Sequence, residues 1–483
     1  MAAVDGGQRK RFVGWFICPI SVLALALVLM ACTSSSGPSI ACAKDRSDNS
    51  RPSIVLVLTD DQRWNTLWAM PAVRRLVKGR GVDFSNSFVV NPHCCPSRAS
   101  ILTGRYSHST GVYTNENEFH GGFSQFEDSS TIATWLREAG YSTALIGKYL
   151  NGYLPADAGY VPPGWDRWLA FATGAGGGGG YYDYTLSDDG RAVAFGRRPR
   201  DHSTAVLADE AVGFICDTRG PLFLVYTPFA PHGKAIPAAE DAGEFSDLEL
   251  EVPPSYDERD VSDKPRWIQG LPRLGTYNSH PNYFEALLGV DRAVEDIIDA
   301  LEATGRLHNS LVVFTSDNGY MWGEHRYEFK LAPYEESIRV PLLVRFDPLI
   351  DSPRVDRHLV LNLDLASTFA DVARVAAPGA EGRSLLPLLS ERAGRWRDHF
   401  LIEHLNAASA GANDRVPTYC ALRTREELYV AYDTGEEELY DLRADPYEMR
   451  NLSANPAMRS ELRELRGDLR RICQPPPPGY RSR

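Results

Sequence analysis

Six short stretches, spread over more than half of the 483-residue chain, carry side chains able to do chemistry: Asp60-Asp61, Cys94-Cys95-Pro96-Ser97-Arg98, Lys148, His232, Asp317-Asn318 and Lys330. Asp60, Asp61, Asp317 and Asn318 offer hard oxygen donors only, which suits Ca2+ or Mg2+ and not Zn2+. Arg98, Lys148, His232 and Lys330 add cationic or proton-carrying groups of the kind that hold a tetrahedral dianion. The cysteine stretch lies within Asn91–Arg105, reading NPHCCPSRASILTGR. Adjacent cysteines suit neither an intrachain bridge nor chelation, which leaves a buried pair at a helix start or a reactive residue. The other signals have ordinary alternatives too. Asp-Asp after a strand can begin a turn or cap a helix, and a lysine past a strand is commonly solvated. His232, between Pro231 and Gly233 on a loop, lacks a core setting, which favours function.

Buried strands must position these groups. Ser53–Leu58 and Leu222–Tyr226 are continuous apolar runs, the mark of parallel strands covered on both faces, and Ser142–Ile146 and Leu311–Thr315 read as further strands. Each gives way to candidate chemistry at its carboxyl end: Asp60-Asp61, the His232 loop, Lys148 and Asp317-Asn318 respectively. Open α/β sheets bind ligands at that edge. A helix is expected from Ala99 with Pro96-Ser97 at its start, which puts residue 94 near a helix N-terminus, where an anion is favoured. Helices are also expected near Pro71–Lys78, over Ser130–Ala139, and over Tyr283–Ala303 with Leu287, Leu288, Val294, Ile297, Ile298 and Leu301 on one face. Gly174–Gly180 reads as a flexible surface loop. Beyond Arg395 come four short strands (His399–Glu403, Tyr419–Arg423, Glu427–Tyr432, Glu438–Leu442) and a helix, Met458–Cys473. The expected fold is α/β, a mixed, mostly parallel sheet between helices, with a small C-terminal antiparallel α+β subdomain. The expected division is a leader over 1–31, a flexible tether over 32–50, a catalytic domain over 51–395, the subdomain over 396–473 and a disordered Pro-rich tail over 474–483.

A net charge of −12 with no Lys/Arg run in the body argues against nucleic acid as a partner. Arg9-Lys10-Arg11 followed by apolar Phe12–Met30 is a targeting segment. Ala31-Cys32 and the small residues after it resemble a bacterial lipobox, implying export, a lipidated Cys32 and a place on the outer face of a bacterial membrane. Met30 is unusual there, so ordinary cleavage or an uncleaved anchor are the alternatives. Removing residues 1–31 takes away Arg9, Lys10, Arg11 and Asp5, a net +2, and leaves −14. Eight cysteines are too few for a disulfide scaffold; a bridge from Cys420, at a strand start, to Cys473, at a helix end, would pin the last helix to the small sheet. The single sequon, Asn451-Leu452-Ser453, is sparse for a glycosylated lysosomal enzyme and favours a bacterial envelope protein.

Cys94-Cys95-Pro96-Ser97-Arg98 with Leu102-Thr103-Gly104-Arg105 resembles the signature of the type I, formylglycine-dependent sulfatases, in which the first cysteine of the pentapeptide is oxidised to formylglycine. The resemblance covers roughly residues 51–455. Cys94–Asn115, Gly147–Asn151, Tyr160–Trp165 and Tyr181–Leu186 are most similar to the N-acetylglucosamine-6-sulfatases and extracellular heparan 6-sulfatases; Gly323–Arg326, Tyr334–Pro341 and Leu439–Leu442 are similar to sulfatases generally. Leu150 departs from many arylsulfatases, which carry His there. The resemblance implies an alkaline-phosphatase-like fold and Ca2+, with Mg2+ the alternative, held by Asp60, Asp61, Asp317, Asn318 and the modified Cys94. It implies a formylglycine-generating enzyme acting on the unfolded chain at Cys94 rather than Cys95, since only Cys94 has Pro two places on. It further implies that a hydroxyl of the hydrated aldehyde attacks sulfur in line, with Lys148, Lys330 and Arg98 on the sulfuryl oxygens and His232 or a lysine protonating the leaving oxygen. The second hydroxyl then loses its proton, sulfate departs and the aldehyde returns. The implied substrate is a sulfated small molecule or saccharide, foremost the 6-O-sulfate of a terminal N-acetylglucosamine; a charge near −14 favours a short or terminal substrate over the interior of a polyanion. The alternatives are an arylsulfatase or choline-type sulfatase, a phosphonate or phosphodiester hydrolase of the same superfamily, and an inactive glycan-binding lipoprotein.

Overall fold

In the computed structural model, which describes residues 42–45, 51–172, 180–410 and 414–481, the fold grows outward from β1 (Ser53–Thr59), whose seven residues are all buried. Its side chains alternate between two cores: Ile54, Leu56 and Leu58 enter one, Val55 and Val57 the other. Burial on both faces is why the stretch reads as unbroken hydrophobicity rather than as a period of two. Along the chain follow β2 (Val82–Phe84), β3 (Ser87–Phe88), β4 (Ser142–Gly147), β5 (Arg167–Phe171), β6 (Thr185–Asp188), β7 (Arg191–Ala194), β8 (Leu222–Thr227), β9 (Ser310–Ser316), β10 (Leu342–Arg345), β11 (Arg354–Asp356) and β12 (Val360–Leu361). Ten of these twelve form one sheet in the order β11-β2-β10-β9-β1-β8-β4-β5-β6-β7, while β3 pairs with β12. β9, β1, β8, β4 and β5 run parallel at its centre, with antiparallel neighbours on both sides. The register levels the carboxyl ends: Thr59 lies beside Ser316, and Gly147 beside Thr227. The groups just past those strands therefore emerge along one edge.

The helices Ser203–Asp217 and Pro281–Ala303 cover one face of the sheet, burying Leu207, Ile215, Leu287, Val294, Ile297, Ile298 and Leu301. Ile132–Glu138 and Asp364–Ala373 cover the other. The helix expected from Ala99 starts earlier, at Cys94, and runs to Thr103 with every residue buried. Pro96 does not delay it, because the amides of a first turn have no partner within the helix.

Past Arg395, β13 (His399–His404), β14 (Tyr419–Thr424), β15 (Glu427–Tyr432) and β16 (Glu437–Asp441) form an antiparallel sheet in that order. One face packs Leu401, Leu422, Tyr429 and Leu439 against Leu462, Leu465 and Leu469 of the helix Arg459–Ile472. The other packs Phe400, Ile402, Tyr419 and Val430 against Phe88, Leu331, Tyr334 and Ile338 of the main body. Buried Glu438 fastens this second contact, accepting hydrogen bonds from the Tyr334, Tyr432 and Tyr440 hydroxyls at 2.9, 2.8 and 2.5 Å.

Two disulfides are present among the described residues. Cys420–Cys473 is the expected one; Cys42–Cys216 was not anticipated. The second corrects the reading of residues 42–45 as flexible tether. Besides that bridge, Asp45 accepts from buried Arg306 at 2.6 Å, which fixes the segment to the main body. The tail is corrected as well over its described part. Tyr480 is 8% exposed and donates to the Ala431 carbonyl at 3.2 Å, so its apolar ring holds the Pro-rich segment against β15. The leader, Cys32 and residues 173–179 of the glycine loop lie outside the described residues. Among the described residues no helix is long and apolar enough to cross a membrane.

With its cysteines 53 residues apart, the Cys420–Cys473 bridge contributes about 4 kcal/mol in the chain-entropy treatment. Cys473→Ala should lower the urea midpoint, with a slope that rises as the denatured chain loses its cross-link. An unaltered midpoint would mean that Leu462, Leu465 and Leu469 hold the helix unaided.

Candidate active site

At the end of β1 the chain bends sharply. Asp61 adopts a left-handed backbone, φ 62°, and its amide donates to Asp317 Oδ1 at 3.1 Å. That bond joins the end of β1 to the end of β9 and sets Asp60 and Asp61 beside Asp317 and Asn318, all four buried. Asn318 Nδ2 donates to Asp61 Oδ1 at 2.6 Å, while its Oδ1 is buried without a hydrogen-bond partner.

Cys94 opens its helix facing this cluster. Its Sγ lies 3.6 Å from Asp60 Oδ1 and 4.0 Å from Asp61 Oδ1. Lys330 Nζ donates to the sulfur at 2.7 Å and also pairs with Asp61. Lys148 reaches Asp60 at 2.5 Å from the end of β4. Gly147, at φ 126°, lets the end of β4 lie close against β8, since a Cβ there would meet the Thr227 carbonyl at 1.9 Å. Arg98, one helical turn beyond Cys94, donates to Asp317 at 2.8 Å and to the Lys148 carbonyl and Thr227 hydroxyl at 2.7 and 2.8 Å. One guanidinium nitrogen of Arg98 is left buried without a hydrogen bond. His232 stands 3.6 Å from Asp61 with its side chain 29% exposed, the most open group present. Asp60, Asp61, Cys94 and His232 each place a ligand atom within 4.8 Å of the others. All the residues singled out from the sequence thus meet at one place.

Thr227 and Tyr283 were missed. The Thr227 hydroxyl fixes Arg98, and the Tyr283 hydroxyl donates to the Asp61 carbonyl at 3.0 Å and accepts from the Arg63 amide at 2.8 Å. No local motif marks either; only the parallel pairing, with Thr227 beside Gly147, could have pointed to the first.

Three carboxylates (Asp60, Asp61, Asp317) face three permanent cations (Arg98, Lys148, Lys330). Burial pushes the Asp60 carboxyl up, but Lys148, His232 and Arg98 outweigh it and hold it at about 2. Burial pushes the Cys94 thiol up to about 12, so the unmodified thiol is a poor nucleophile at neutral pH. It also opposes the Lys330 charge, yet Asp61 beside it keeps the ammonium protonated well above its usual range. For His232, burial wins over Asp60 and Asp61 and lowers it. A divalent cation fits this set. Asp60, Asp61, Asp317 and Asn318 could hold it with hard oxygens, and the orphaned Asn318 Oδ1 lacks any other use. A cavity of about 750 Å3 opens onto Asp61, walled by His280, Tyr283, Tyr320 and Trp322.

A model of the sulfatase family matches residues 52–375, and one for the C-terminal part of N-sulphoglucosamine sulphohydrolase matches residues 323–474. Human N-acetylglucosamine-6-sulfatase is 31% identical over 500 aligned positions, covering 92% of this chain and 88% of the human one. The extracellular sulfatase SULF-1 homologue of Drosophila melanogaster is 35% identical over 400 positions, 78% of this chain. This chain spans only 35% of that relative's length, and 53% of its Caenorhabditis elegans counterpart. A solved structure in complex with its substrate D-glucosamine-2-N,6-O-disulfate superposes with a TM-score of 0.77 at 24% identity, covering 88% of this chain and 98% of that one. That likeness is one of fold.

Added Ca2+ should stabilise the metal-depleted protein by about 2.7 kcal/mol at a hundredfold excess over its dissociation constant, read as a rise in the unfolding midpoint. Asp317→Asn should remove most of the gain. An equal gain from Mg2+ would remove the preference for Ca2+, and no gain from either would remove the cation.

Proposed function

The chain belongs to the sulfatase family, and we propose that it is an exported sulfuric ester hydrolase that removes the 6-O-sulfate of a terminal N-acetylglucosamine or a related sulfated saccharide. The observation that carries the reading is the seat of Cys94, first residue of a buried helix, with Asp60, Asp61 and Lys330 around its side chain. The sugar assignment is supported by the human relative's name and coverage, and by the Cys94–Asn115 and Tyr181–Leu186 segments. The leader and the extracellular relatives support export; a lipid on Cys32 belongs to the same proposal.

Formylglycine at residue 94, hydrated, would supply the nucleophilic hydroxyl that a thiol held near 12 does not. Cys94 is 0% exposed, so a formylglycine-generating enzyme would reach it only before folding. Ca2+, or Mg2+, on Asp60, Asp61, Asp317, Asn318 and residue 94 would acidify that hydroxyl and offset charge on the sulfuryl oxygens. Lys330 already donates to the side chain of residue 94, so its ammonium sits where negative charge on that atom or on an adjoining sulfuryl oxygen would form. The Arg98 guanidinium nitrogen that lacks a hydrogen bond and lies 3.6 Å from Asp60, and the Lys148 ammonium, also paired with Asp60, would serve the other oxygens. His232 sits at the open side. Its lowered pKa leaves it neutral when the site is free; an arriving anionic ester would raise it and let it carry a proton to the leaving oxygen. The Tyr181 hydroxyl donates to the His232 carbonyl at 3.1 Å and steadies that loop.

With protein co-expressed with a formylglycine-generating enzyme, kcat/KM on N-acetylglucosamine-6-sulfate should exceed that on galactose-6-sulfate, a choline-type sulfate, an aryl sulfate and an aryl phosphate diester. Preference for the choline or aryl sulfate would overturn the sugar assignment, and preference for the diester would overturn the sulfatase reading. Lys330→Ala should lower kcat about 100–1,000-fold. A loss well below that would remove Lys330 from the reacting atoms.

A further inference from the structure

Two cavities share Trp322 as a wall. One opens onto Asp61; the other, about 690 Å3, passes Arg63 and runs between the main body and the small sheet. Trp64, Trp68 and Tyr447 line the second cavity while remaining 37%, 41% and 42% exposed. Single apolar side chains left in water are ordinary, but a group of aromatic rings along one groove marks a binding site. Two of the rings are fixed: the Arg339 guanidinium lies 4.1 Å over Trp64, and Trp68 packs on Phe284 at 4.7 Å.

The polar groups of the groove are mixed in sign. Five arginines, Arg425 and Arg443 among them on the rim, face four glutamates, Glu251 and Glu426 among them. Glu336 contributes an oxygen that is buried and has no hydrogen-bond partner. A densely sulfated segment would call for cations alone, and an apolar peptide for neither sign. Aromatic faces interleaved with donors and acceptors match a pyranose, which has an apolar C–H face and a rim of hydroxyls that both give and take hydrogen bonds. The groove is also tied to the catalytic edge. Arg63, two residues past Asp61, stacks over Trp322 at 4.3 Å and pairs with Glu324 at 2.9 Å.

Resting on the sulfatase reading above, we propose that this groove binds the sugar units next to the terminal sulfated residue of the same glycan. A saccharide leaving the cavity at Asp61 would pass the edge of Trp322, itself 5% exposed, to reach Trp64 and Tyr447. The enzyme then works from a chain end yet recognises an oligosaccharide, and the mixed charge of the groove, with arginines in slight excess, spares weakly sulfated units the repulsion of an acidic protein.

The test compares N-acetylglucosamine-6-sulfate with a heparan-type tetrasaccharide ending in that residue, using the co-expressed full chain. KM for the tetrasaccharide should be about tenfold lower, and Trp64→Ala with Tyr447→Ala should erase the difference while kcat/KM for the monosaccharide stays unchanged. Equal losses on both substrates, or none on the tetrasaccharide, would overturn the groove. A calorimetric titration with the desulfated tetrasaccharide separates this proposal from the sulfatase reading. Binding lost in the double variant supports the groove even if no sulfate ester is turned over, and absence of binding to the unaltered chain overturns it even if the monosaccharide is hydrolysed.

Discussion

Three carboxylates packed side by side out of water require counter-charges, and the architecture supplies them from separate parts of the chain. Asp60 and Asp61 come from the end of β1 and Asp317 from the end of β9; Lys148 comes from β4 and Arg98 from the Cys94 helix. Each ion pair also joins two elements. Removing one cation would strand a buried carboxylate, a loss of the order of 3–5 kcal/mol. The balance has a functional side. Three negative charges against three positive ones make the cluster neutral, and a bound dication would turn it attractive to an anionic ester.

Lys330 is the cation that comes from neither the main sheet nor the Cys94 helix. It precedes the segment Leu331–Ile338, which the small sheet grips from beyond. Tyr419 donates to the Leu331 carbonyl at 2.9 Å, Arg423 pairs with Glu335 at 2.8 Å, and Glu438 gathers Tyr334 with two tyrosines of its own sheet. Nearby, His325 pairs with Glu258 at 2.6 Å and packs on the Tyr334 ring at 4.4 Å, closing the same loop from the other side. The C-terminal sheet is thus a buttress for the ammonium beside residue 94, which gives its buried carboxylate and phenols a physical purpose.

Much of this is legible in the unfolded chain because the relevant signals are local. Continuous apolar runs such as Ser53–Leu58 announce central parallel strands, and the residues just past each run must lie at the ligand-binding edge. That logic finds Asp60, Lys148, His232 and Asp317, and Cys94 is marked by its own motif. The hidden parts depend on pairings that no window of sequence contains. Cys42 finds Cys216 across 174 residues, Thr227 meets Arg98 only once β8 lies beside β4, and Tyr447 joins Trp64 only through the small sheet. The helix start escapes sequence reasoning for a different reason: Pro96 looks like a boundary, although an early turn has no amide bond for it to break.

The proposed chemistry requires that residue 94 no longer be the cysteine the gene encodes, because a thiol held near 12 is a poor nucleophile. Peptide mass spectrometry of the Asn91–Arg105 segment, from protein active on a sulfate ester and co-expressed with a formylglycine-generating enzyme, tests it most directly. An aldehyde at residue 94 and an intact thiol at Cys95, where no Pro stands two places on, are expected. An intact thiol at residue 94 in fully active protein would contradict that chemistry.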